Sequence, residues 1–158
     1  PTLITTISDK KIIPGNIKID PEDKKFRINK IYRKYHSHIK STICKNDIKL
    51  IVSLHSFNPI YKNKKRNIEI GILSNNDKRY SSKLIHNLKM KNYILGDNEP
   101  YYGDLRGDSL NRHGLKNNLL HVLIELRNDL INTRVKRQKI CKFISKNITK
   151  TNKFFFKN

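Results

Sequence analysis

No stretch of about 18 uninterrupted apolar residues occurs in the sequence, and no basic-then-apolar leader with a small-residue cleavage site opens it. The pattern holds neither a membrane span nor a secretory signal, and a cytoplasmic location is the default expectation. Cysteine is scarce as well: Cys44 and Cys141 stand far apart, and neither has a CxxC partner. That spacing disfavours a zinc ribbon and fits reduced, packed thiols. Carboxylates are few, 13 Asp and Glu against 34 Lys and Arg, which leaves a formal net charge of +21. So large an imbalance raises the question of a nucleic-acid partner. The lysines, however, are spread along the whole chain and travel with Asn and Ile, as an A/T-rich codon supply would produce. Nothing resembles the paired aromatics of a base-stacking sheet. Lysine on solvated faces is the reading here, and nucleic acid is not expected as a partner.

What the sequence does contain is alternation of helix and strand. At 158 residues it suits one domain over residues 1–150, with "KFFFKN" inside a frayed tail over 151–158. The segment after Asp20 opens with a plausible N-cap, Pro21 at the first helical position and acids in the first turn. Ile28, Ile31, Tyr32, Tyr35 and Ile39 then recur at helical spacing as one buried stripe. "IKLIVSL" is a continuous apolar run rich in β-branched residues, as in a strand covered on both faces. "NIEIGIL" alternates and reads as a strand nearer an edge. A helix over 78–91, capped by Asp77, presents Tyr80, Leu84, Ile85 and Leu88; "YIL" is a short strand and "LLHVLIEL" a long apolar one. A terminal basic helix points Leu130, Ile131, Val135 and Ile144 inward. Helices interleaved with apolar strands imply an α/β layer architecture.

The chemistry gathers at two strand ends. His55 closes the run "LIVSLH" and Glu125 closes "LLHVLIEL". In open α/β sheets the carboxyl edge of the strands is where ligands bind. A histidine there can equally be a buried side chain satisfied by a neighbour. A carboxylate in an apolar setting must meet an arginine, a metal-bound water or a proton. Arg127, two positions on, would share a strand face with Glu125, so an ion pair competes with catalysis.

In order along the chain, "PTLITTISDKKIIPGN", "VSLHSFNPIYKNKKRNIEIGIL", "DNEPYYGD", "NRHG" and "VLIELRNDLI" closely resemble blocks of the N-formylglutamate amidohydrolase family. That family is more distantly similar to zinc carboxypeptidases. The resemblance implies a zinc-carboxypeptidase-like fold: a mixed, largely parallel sheet flanked by helices on both faces, here without its N-terminal strands. It implies metal-dependent hydrolysis of N-formyl-L-glutamate or a similar N-acyl acidic amino acid, giving formate and glutamate. His55 would be a zinc ligand and Glu125 the base that deprotonates the metal-bound water. Arg66, Arg112 and Arg127 are the cations in the matching blocks that could bind substrate carboxylates or the oxyanion. Tyr101, Tyr102 and His113 are further candidates for substrate contact.

The resemblance also implies elements that this chain does not show. The family's first two zinc ligands come from an N-terminal His-plus-carboxylate block, and an Asn-Arg element that binds substrate lies after it. The sequence starts downstream of both, at Pro1 rather than Met. His55 would be a lone ligand, so the chain by itself is expected to be inactive unless an N-terminal complementary chain supplies the rest. The alternatives are a non-catalytic remnant or a basic nucleic-acid-binding module.

Overall fold

The structure, a computed structural model, describes residues 19–89, 93–104 and 108–156. Two compact units result, one formed by residues 1–49 with 105–119 and the other by 50–104 with 120–158. The first is helical and the second carries the sheet.

In the helical unit, Asp20 caps the first helix as its composition requires, its carboxylate accepting the Glu22 N–H at 2.7 Å. Helix α1 (Pro21–Phe26) runs into a π-helical segment, Arg27–Tyr32, and on into α2 (Arg33–Lys45). A π-helical segment carries more residues per turn than the α-helix and shifts the phase of the turns beyond it. The expected stripe is accordingly not buried as a set: Ile31 is 42% exposed, Ile28, Tyr32, Tyr35 and Ile39 are half-buried, and His36 is the buried residue of α2.

The second unit is built on four strands, β1 (Leu50–Phe57), β4 (Ile70–Leu73), β5 (Leu95–Asp97) and β6 (Leu120–Arg127), which form one sheet of order β1-β6-β4-β5. β1 runs parallel to β6 and β4 parallel to β5, whereas β4 and β6 are antiparallel. The sheet is thus mixed and mostly parallel, an α/β fold as the sequence implied. A separate hairpin pairs β2 (Ile60–Tyr61) with β3 (Lys64–Lys65), and Lys62 and Asn63 between them take positive φ. Strand alternation sends Val122, Ile124 and Leu126, with Ile70 and Ile72, to one face. There they form the core with Tyr80, Leu84 and Leu88 of α3 (Arg79–Leu88) and Ile140 and Ile144 of α4 (Arg134–Phe155).

Helices α3 and α4 both contribute to that core. Several finer expectations change. β4 is fully buried between β5 and β6 and not near an edge, because two neighbours supply its partners. β1 lies at one margin of the sheet, with β5 at the other: Val52 and Leu54 are 36% and 57% exposed, so this apolar run is not covered on both faces among the described residues. Val135 is 74% exposed, since the helix begins at the Thr133 cap and its phase turns Ile140 and Ile144 inward instead. The terminal segment is no frayed tail as far as Phe155: α4 continues to it, Thr151 is fully buried, and the Phe155 ring stacks on Tyr80 at 5.6 Å. Cys44 and Cys141 are free, as expected, but exposed rather than packed.

One glycine lets the site's loop approach the sheet. A Cβ on Gly71 would fall on the Glu99 carbonyl and meet the Pro100 ring at 3.3 Å. Gly71→Ala therefore has to push the 98–102 loop off β4, and a loss of about 2 kcal/mol is expected as a lowered urea midpoint with unchanged slope.

Candidate active site

The parallel register places His55 directly opposite Glu125 on adjacent strands. Both side chains emerge on the sheet face away from α3 and α4, because they alternate with core residues along β1 and β6. His55 Nδ1 lies 3.7 Å from Glu125 Oε1, too far for a hydrogen bond but close enough for charge to be felt. The Ser53 hydroxyl stands 3.2 Å from His55 Nε2. Glu125 is 6% exposed, and its Oε2 is buried without a hydrogen-bond partner among the described residues. A buried carboxylate oxygen left unpaired costs free energy.

The arginine expected to neutralise Glu125 goes elsewhere. Arg127 is buried, and its guanidinium holds Asp129 through Nε at 2.7 Å and Nη2 at 3.0 Å. Nη1 donates to the carbonyls of Arg66 and Asn67, both at 2.9 Å, and Nη2 approaches Glu69 Oε1 at 3.3 Å. The carboxylates of this network hold the guanidinium in its charged form, and the guanidinium keeps the Asp129 carboxyl below its ordinary range. With its donors committed in this way, Arg127 braces the 66–69 segment instead of offering itself to a substrate. The ion-pair alternative for Glu125 loses its arginine.

Bracing that segment positions Arg66. Its guanidinium lies over three aromatic rings, Phe57 at 5.4 Å, Tyr61 at 4.7 Å and Tyr101 at 4.9 Å. Nη1 also donates to the Tyr101 hydroxyl at 2.7 Å. Phe57 lies two residues beyond His55 and so shares its face of β1. The cage holds a cation beside the carboxyl end of the strands while Arg66 Nε and Nη2 keep donors in a planar fork. Tyr102, the neighbour of Tyr101, is 64% exposed.

Arg112 and His113 belong to the helical unit. Arg112 donates to the Tyr32 hydroxyl at 2.8 Å, an exposed contact. His113 is buried and lies 2.7 Å from the His36 imidazole, Nε2 to Nδ1. The edges of Tyr32 and Tyr35 close around His36 at 4.3 and 5.0 Å. Burial, with Arg112 and His113 adding to it, pushes the His36 pKa down to about 4, and burial lowers His113 too. An unfolded histidine takes its proton near 6.5, so below that pH the unfolded state binds more protons than the folded one. The sign is therefore destabilising as pH falls: stability is full above about 6.5 and is lost down to about 4, by about 3 kcal/mol for His36 alone. Urea midpoints measured between these limits should show the decline, and His36→Phe should flatten it.

Pairing of His36 with His113 could not be read from the sequence, since 77 positions separate them. The distant partners of Arg127, Glu69 and the carbonyls of residues 66 and 67, were equally invisible, whereas the facing positions of His55 and Glu125 came from two apolar strands ending in polar residues.

Zinc takes three protein ligands in a catalytic site. Among the described residues no group of three His, Cys, Asp or Glu side chains is close enough to hold a metal ion. One imidazole and one carboxylate do not by themselves make such a centre. No helix among the described residues is long and apolar enough to cross a membrane.

Comparison with known proteins places these features. A family model described as N-formylglutamate amidohydrolase matches residues 1–132. The crystal structure of a gene product from Agrobacterium tumefaciens, Atu2144, is similar at a TM-score of 0.83 and 30% sequence identity, over 90% of this chain and 59% of that one. The present chain thus spans 59% of the length of that protein. No curated protein matches the chain.

Proposed function

The chain belongs to the N-formylglutamate amidohydrolase family, and from that premise we propose that its β1/β6 edge hydrolyses the amide bond of an N-acyl acidic amino acid, with N-formyl-L-glutamate as reference substrate. The observation that carries the reading is the buried, unpartnered Oε2 of Glu125 beside His55 at the carboxyl ends of two parallel strands. Glu125 takes a proton from water as the oxygen bonds to the formyl carbon, and returns it to the nitrogen as the C–N bond breaks. Formate and glutamate leave. The His55 imidazole stands 3.7 Å from the other carboxylate oxygen, on the same face of the sheet. Arg66, held over its three rings, takes a substrate carboxylate or the oxyanion.

His55 serves as a metal ligand in this reading only where further donors join it, and we propose that residues outside this chain supply them. Formate release from N-formyl-L-glutamate should be measured for the chain alone and with the part of the Agrobacterium protein that this chain does not span, alongside zinc stoichiometry. Release that depends on the added segment supports the reading; absence of release under both conditions defeats it.

A further inference from the structure

The basic residues of α4 are ordered in space. The family match ends at residue 132, and α4 begins at Arg134. Over Arg134–Phe155 the sequence holds eight Lys and Arg and no Asp or Glu. Lys136 and Arg137 are tied back to the carbonyls of Asp129 and Ile131 at 3.0 Å each, which accounts for those two.

The other lysines lie along a single line. Lys139, Lys142, Lys146, Lys150 and Lys153 are spaced 3, 4, 4 and 3 residues apart, and all are exposed. At about 100° per residue they fall within an arc of about 80°, and at 1.5 Å per residue they extend over about 21 Å. On one side of that arc the exposed positions are Arg134, Gln138, Cys141, Ser145 and Thr149, and only the first is basic. Drift toward lysine on every solvated face would have filled the other four as well. Like charges four residues apart also weaken a helix, so the row is held by the buried face of α4 and costs stability in isolation.

We propose that this row of α4 is a sequence-independent binding surface for the phosphate backbone of a nucleic acid. A polyanion is the partner whose charge complements a row of aligned lysines on a helix that holds no Asp or Glu. An anionic membrane surface fits less well, because Ile140 and Ile144 are spent on the sheet and the two exposed apolar residues of the helix, Val135 and Phe154, stand at its opposite ends and make no continuous apolar face. No base readout is implied, since a lysine meets phosphate as a point charge.

The test is fluorescence anisotropy of a 20-base-pair duplex DNA and a 20-nucleotide RNA with the full chain, between 50 and 200 mM salt. Full engagement of the row gives a slope of log K against log salt of about −4 for the duplex. Lys139→Gln, Lys142→Gln and Lys146→Gln together should reduce that slope by about 3. Lys30→Gln, Lys34→Gln and Lys40→Gln, exposed positions of the helical unit, remove the same charge and should leave it unchanged. Circular dichroism checks that both triple variants fold. A flat slope for the parent chain overturns the proposal, as does equal loss in both variants. Binding to phosphatidylserine vesicles with none to either nucleic acid would overturn it too.

Discussion

Glu125→Gln should lower formate release by about 10²–10⁴-fold, in whichever preparation of the protein releases it, and at the same time make the fold more resistant to urea. The two effects have one cause. Oε2 is buried without a hydrogen-bond partner among the described residues, so the carboxyl group sits there at a cost to folding. An amide of the same shape removes the proposed base and lowers the cost of desolvating the group, by about 1 kcal/mol. Paired measurements of the urea midpoint and of turnover decide the matter. A variant less stable than its parent would make Glu125 a structural partner of His55 and withdraw it from catalysis.

Arg127→Ala should produce the largest loss of stability at this edge, about 3–5 kcal/mol. The substitution leaves the Asp129 and Glu69 carboxylates and the carbonyls of residues 66 and 67 without the group that joins them. Arg127→Lys should recover little of it, because a single ammonium cannot span a fork of donors that reaches two carboxylates and two carbonyls. Denaturant midpoints give the free energy. Release of Arg66 from its rings should accompany it as a change in tyrosine fluorescence, since Tyr61 and Tyr101 lie under its guanidinium.

The sequence was informative where a local pattern has one physical solution. "LLHVLIEL" has no polar residue to spare for solvent except at its ends, and it became the buried strand β6. Asp20 before Pro21 has little use other than to start a helix, and it does so. The facing of His55 and Glu125 needed only that two apolar strands lie side by side. The partners of Arg127 could not be foreseen, because Glu69 and the carbonyls of residues 66 and 67 approach it from about 60 positions away once β4 runs antiparallel beside β6. The π-helical segment at Arg27–Tyr32 also left no trace in the spacing, so a stripe counted at a constant period lost its phase there. The lysines of α4 illustrate the converse: their even spread along the sequence hid their alignment on the helix.

The margin of the sheet at β1 has a consequence for control. Among the described residues its outer N–H and C=O groups meet no further strand, while its inner side pairs with β6. A segment that zipped onto that outer rim would set every second side chain on the face that carries His55 and Glu125. Pairing at that rim would therefore border the same pair of side chains, so that association and access to them would be governed through one strand.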